Sequence, residues 1–135
     1  MRARDALGQP VAVGSPLAVE PVPEAPLPPD EALETAQRLL DQGRAFSAHE
    51  VLEASWKAAP ARERATWQGL AQVCVGLTHL QRGNLVGAAR LLRRGASNLG
   101  DHPVAAQAVA AAERVEAGDT DPPSIKLRGC GSPPP

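Results

Sequence analysis

One short run, His49-Glu50-Val51-Leu52-Glu53, brings together side chains that can move a proton or hold a metal. If the run is helical, His49 and Glu53 stand one turn apart, so the imidazole and the carboxylate can meet. Glu50 points about 100° away, toward solvent. A second polar series follows in Gln68, Gln72 and His79, which share one side of a helix within about 40° of each other. The chemistry these residue types suggest is a divalent-metal site with His49, Glu53 and His79 as ligands. Gln68, Gln72 and Arg82 would then bind a cofactor or orient a substrate, and His49, Glu50 and Glu53 would form the catalytic group, with a glutamate as base. The same residues admit a plain structural reading, in which a His-Glu pair bonded to a glutamine on the next helix satisfies buried polar atoms and fixes the packing register. On that reading His49→Ala lowers the melting temperature by several degrees. The run is a weak motif by itself and does not match the zinc-protease signature, whose second histidine would stand where Glu53 is.

Two helices must hold these residues face to face. On the first, Ala48, Leu52 and Ala59 share a face that Phe46 and Trp56 extend, and His49 and Glu53 fall between the two aromatics. On the second, Trp67, Leu70, Val73, Cys74 and Leu77 form the apolar side. Beside the Gln/His row runs a stripe of Gly69, Gly76 and Gly83 at seven-residue spacing. Interior glycine costs a helix about 1 kcal/mol relative to alanine, so the stripe predicts that another backbone packs against it. If that backbone belongs to the helix of His49, the two polar groups face each other.

The punctuation predicts five helices. The first spans about residues 30 to 42, opened by Asp30 after Pro28-Pro29 and closed by Gly43. The others cover about 47 to 59, ending at Pro60, then 61 to 82, then Asn84 to 99, and finally Asp101-His102-Pro103 to about 118. A shift of 40 residues superimposes Leu40 on Leu80, Gly43 on Gly83, Ala48 on Ala88 and Leu52 on Leu92. The expected fold is therefore all-α, a bundle built on a duplicated antiparallel hairpin with tetratricopeptide-like spacing of small residues.

Residues 1–29 carry seven prolines and read as an extended arm, with Leu17, Val19 and Val22 able to lie in a groove of the helical domain of residues 30–118. Residues 119–135 have the composition of a tail. Scarce aromatics, two Trp, one Phe and no Tyr, leave Leu, Val and Ala to fill the core. Cys74 and Cys130 read as two free thiols, in neither a disulfide framework nor a metal spacing. Without a signal sequence or a span of about 20 apolar residues, the expectation is a cytoplasmic protein away from membranes.

Fourteen basic and fifteen acidic residues give a net charge of -1, so no overall field attracts nucleic acid. The charges are nevertheless uneven. Residues 30–63 hold seven acids against four bases, whereas 64–100 hold no acid and include Arg64, Arg82, Arg90, Arg93 and Arg94. Arg90, Arg93 and Arg94 would present one guanidinium face, suited to solvent, to an anionic ligand or to the acidic half of a second subunit.

The run His49-Glu50-Val51-Leu52-Glu53 with Trp56, then Gln68-Gly69-Leu70-Ala71-Gln72, His79, Gly83-Asn84, Gly87-Ala88 and Leu91-Leu92, closely resembles the bacterial family called domain of unknown function 309, over about residues 31–100. The resemblance implies a compact helical fold with a polar patch at His49, Glu50, Glu53, Gln68, Gln72 and His79. It implies no activity. Two functional classes follow from the residues: a metal or small-ligand site at that patch, or a non-catalytic helical module that presents a groove to a protein partner or to a second copy.

Overall fold

Pro28-Pro29 cannot continue an extended ladder but suits the first turn of a helix, and α1 spans Pro29–Asp41. Its N-cap is Pro28, without a side-chain cap, so Asp30 is not the cap the sequence predicts. Asp30 and Glu31 stabilise the first turn by facing the positive end of the helix dipole. Ala32, Ala36 and Leu39 are the buried stripe. The helices α2 (Ala45–Ala58), α3 (Ala61–Gln81), α4 (Leu85–Leu99) and α5 (Pro103–Glu116) follow. The computed structural model describes residues 3–11 and 25–128, and among these it holds five helices, so the expected all-α architecture is borne out. Leu17, Val19, Val22 and Cys130 lie outside the described residues.

The 40-residue repeat is visible in how helices end. Gly43 has φ +76°, and the amides of Gly43 and Arg44 return to the carbonyls of Leu40 (2.9 Å) and Leu39 (2.8 Å). Gly83, at φ +80°, and Asn84 do the same to Leu80 (3.0 Å) and His79 (2.8 Å). Left-handed backbone at this position closes the helix and is cheap only for glycine. Each hairpin then buries equivalent residues, with Ala48, Leu52, Ala88 and Leu92 all at 0 % exposure.

Consecutive helices pack on one another, α1 on α2, α2 on α3, α3 on α4 and α4 on α5. The closest approach is between α3 and α4. A Cβ on Gly69 would lie 2.9 Å from the carbonyl oxygen of Gly95, and one on Gly95 would lie 2.8 Å from that of Gly69. Two turns further along, a Cβ on Gly76 would meet the Ala88 carbonyl oxygen at 3.1 Å and Leu92 Cγ at 2.9 Å. The glycine stripe thus receives another backbone, but it belongs to α4 and not to α2. Gly83 is not part of that contact, since nothing lies within 4 Å of its would-be Cβ and it serves the turn instead.

The described parts of the expected arm and tail are held on the helical domain. Within the first segment, β1 (Ala3–Arg4) pairs antiparallel with β2 (Pro10–Val11), Ala3 opposite Val11. Asp5 organises the turn between them by accepting from the amides of Leu7 (3.0 Å) and Gln9 (2.9 Å). At the other end, Ile125 and Leu127 enter the core at 4 % and 1 % exposure. Two glutamines hold this segment by its backbone. Gln37 of α1 donates to the Ile125 carbonyl (3.1 Å) and accepts from the Leu127 amide (2.8 Å). Gln107 of α5 donates to the Lys126 carbonyl (3.0 Å) and accepts from the Lys126 amide (2.8 Å). Alternation of a strand turns Ile125 and Leu127 to one side. Two apolar residues in a Pro-rich, polar stretch are too few to change its composition, which is why it reads as a tail.

Leu127→Ala is expected to destabilise the protein by about 2–5 kcal/mol, as for a leucine deleted from a core. Urea denaturation measures this. A loss below about 0.5 kcal/mol, typical of surface positions, would show that the segment is only loosely applied.

Candidate functional site

His49, Glu50 and Glu53 project from α2, where Ser47, Ala48, Val51, Leu52 and Ser55 form the buried side. His49 Nε2 lies 3.3 Å from Glu53 Oε2, so the expected imidazole-carboxylate pair is formed, at a distance that marks a weak bond. Glu53 is shared, since Lys57 Nζ stands 3.4 Å from its other oxygen. The imidazole is the more buried partner, at 17 % side-chain exposure against 39 %. Its Nδ1 is fully buried and has no hydrogen-bond partner among the described residues. Leaving such an atom unpaired costs about 1–3 kcal/mol.

Phe46 sits beside the pair, its ring centroid 5.4 Å from that of His49 and tilted by 55°. Two guanidinium groups approach the same ring, Arg4 at 5.1 Å and Arg82 at 5.8 Å from its centroid. Glu50, turned away from His49 as the helical period requires, is half-buried here. Burial pushes its carboxyl above the ordinary value, and the charges of His49, Arg4 and Arg44 pull it back in part while Glu53 adds to the rise. Of the residues expected to bind a cofactor, Arg82 therefore does reach the α2 patch.

The Gln/His row lies elsewhere. Gln72 accepts from Asn98 Nδ2 of α4 at 2.6 Å, so this side of α3 faces α4, as the glycines beside it do. Gln68 is half-buried on the same helix. His79 Nδ1 is 3.2 Å from Asn84 Nδ2, and Asn84 Oδ1 in turn caps α4 by accepting from the Gly87 amide at 2.9 Å. Among the described residues no three His, Cys, Asp or Glu side chains stand where they could hold a metal ion. His49, Glu53 and His79 do not form a ready ligand set, and no step is derived through a metal. Cys74 is buried in the core with its thiol pushed up to about 12 by desolvation, which leaves it inert.

A second feature is concave. Leu85, Val86, Ala89, Arg90, Arg93, Val115, Glu116 and Gly118 line a groove of about 510 Å³ between α4 and α5. Val86 is the one large hydrophobic side chain exposed among the described residues, at 72 %. Arg93 crosses to Glu116 with two bonds, 2.6 and 2.8 Å. Arg90 and Arg94 make no ion pair among the described residues. The arginines are legible in the sequence but the groove is not, because its second wall, Val115 and Glu116 of α5, is brought in only by packing.

Five helices in series, four of them paired as two repeated hairpins, define an all-helical protein with a His-Glu patch on its second helix. Residues 33–91, from α1 into α4, match the family model described as domain of unknown function (DUF309), the family that the motifs resemble. No curated protein and no solved structure matches it. No described helix is long and apolar enough to cross a membrane.

The orphaned Nδ1 sets the sign of a test that separates a stabilising histidine from a tolerated one. His49→Leu removes the unpaired atom and keeps apolar bulk beside Phe46, so stability is expected to stay level or rise by about 1 kcal/mol. Thermal and urea unfolding measure it. A loss of more than about 1 kcal/mol would make His49 a net stabiliser of the fold.

Proposed function

We propose that this chain is a non-catalytic helical binding module whose α4–α5 groove takes an acidic, apolar-faced segment of a partner protein. The observation that carries the reading is Val86 at 72 % exposure on the wall of a groove otherwise lined by Leu85, Ala89 and Val115. Exposed aliphatic surface beside a concavity is costly in water and is recovered when a partner covers it. The size is right for a few side chains, since ligand clefts run from about 300 to 1,000 Å³.

Charge selects the partner. Arg90 borders the groove and Arg94 lies one turn along, with no acidic residue anywhere in 64–100 to neutralise them. A segment with leucine-like residues toward the groove and Asp or Glu toward α4 would satisfy both. Arg93 and Glu116, already paired, give the rim a fixed edge. An enzyme reading has less support, because the residues that would carry chemistry are spread over the α2 patch and two different contacts of α3 with α4.

The test uses a fluorescein-labelled amphipathic peptide of Leu and Glu, titrated against the full chain by fluorescence anisotropy. Saturable binding is expected, weakened roughly tenfold or more by Val86→Asp, by Arg90→Glu and by raising salt to about 0.5 M. Val86→Asp leaves unfolding unchanged, since the side chain is exposed. Binding that ignores all three changes, or no binding, overturns this reading. Self-association of the wild-type chain abolished by Val86→Asp would assign the groove to a second copy instead.

A further inference from the structure

The turn at residues 5–9 is held on the helical body by contacts of an unusual kind. Gly8 is buried against Phe46, so close that a Cβ there would lie 2.2 Å from the ring's Cγ, and its φ of +80° also favours glycine. Arg82 reaches over from the end of α3 and donates through Nε (2.9 Å) and Nη2 (2.5 Å) to the single carbonyl of Leu7. The Arg4 guanidinium stands 5.1 Å from the Phe46 centroid, near the Glu50 carboxylate, and Nη1 donates to the Gly8 carbonyl at 2.5 Å. Leu7 is not among the apolar side chains that pack on the core. A cation on an aromatic ring, a carboxylate beside it and a guanidinium clamped on a backbone carbonyl are how a folded surface recognises a peptide, whereas segments built into a fold are anchored by apolar burial, as Ile125 and Leu127 are. The two ends of this chain thus differ in how they are held. The imidazole of His49 packs beside the same ring, its Nδ1 without a partner among the described residues.

We propose that Phe46, Glu50 and Arg82 form a recognition site for an arginine-bearing peptide segment that turns through glycine, filled here by the chain's own Arg4 to Gly8 and available to an external segment of the same chemistry. The site is separate from the α4–α5 groove and does not depend on it. Arginine is selected over lysine because a planar guanidinium can lie on the ring, next to the carboxylate, and still donate within the turn. Glycine is selected because the Phe46 ring occupies the space of any Cβ. Residues 3–11 fall outside the segment that matches the DUF309 family model, whereas Phe46, Glu50 and Arg82 fall inside it, so the occupant and the site are distinct parts of the chain.

The experiment frees the site in the full chain and offers the occupant back. Gly8→Val drives the turn off Phe46, and Asp5→Ala, which removes the acceptor of the Leu7 and Gln9 amides without touching the site, serves if the first variant does not fold. Hydrogen exchange at residues 5–9 reports release, and circular dichroism reports that the helices persist. A synthetic peptide of residues 3–11 is then titrated by calorimetry. The released chain is expected to bind it at least roughly tenfold more tightly than wild type, and Arg4→Ala in the peptide or Arg82→Ala in the protein to weaken binding by roughly tenfold. Free arginine amide, lacking the Leu7 carbonyl and the glycine turn, should not compete. Competition by arginine amide alone would overturn the peptide specificity. Release without peptide binding, or equal binding of the Arg4→Ala peptide, would overturn the site. Unfolding of both variants would also overturn it, by making the turn a part of the fold.

Discussion

The contact between α3 and α4 governs the rest of the molecule. Gly69, Gly76 and Gly95 let two backbones touch where any side chain would hold them apart, so the axes approach to a distance set by carbonyl oxygens. Three interior glycines weaken their helices by about 1 kcal/mol each, a cost that close packing offsets only if the two helices stay in register. That register decides what the outer faces present. It turns Gln72 toward Asn98, places Leu92 against Gly76, and leaves α4 to show Val86, Arg90 and Arg94 to solvent.

A series of helices that pack chiefly on their sequence neighbours has two ends, each with an apolar face to cover. The chain covers them with itself. Gln37 and Gln107, on the first and last helices, each bond both ways to the backbone of the segment around Lys126, and Ile125 and Leu127 supply the missing apolar surface. Two glutamine amides substitute for the neighbouring strands that an isolated extended segment lacks.

The candidate site was legible in part. The i, i+4 relation of His49 and Glu53 follows from the helical repeat, and the pair forms. The orientation of Glu50 away from it follows from the same arithmetic, but its half-burial does not, being a matter of packing around α2. The row of Gln68, Gln72 and His79 was also real as a row. Its partner was not readable, because α3 is packed on both sides, against α2 and α4, and a polar row beside the glycine stripe can belong to either neighbour. Phe46 and Arg82 as holders of the N-terminal turn left no signal, apart from Gly8 and Asp5 standing where a tight turn would need them.

What the sequence determined by itself is everything that a few adjacent residues can decide: five helices within one or two residues of their observed ends, glycine closures at Gly43 and Gly83, and the repeated positions of Ala48, Leu52, Ala88 and Leu92. Proline fixes φ, glycine permits the left-handed cap, and a 3.6-residue period assigns faces, all without reference to distant chain. The tertiary structure alone decided which helix fills the glycine stripe and where Gly8, Ile125 and Leu127 dock. The reason is that α3 buries residues nearly all round, from Trp67 and Gly69 to Thr78 and Leu80, so its own pattern names no preferred partner. The Leu7 carbonyl and the Leu127 amide bond to side chains 75 and 90 positions away, separations across which only the packed core supplies the geometry.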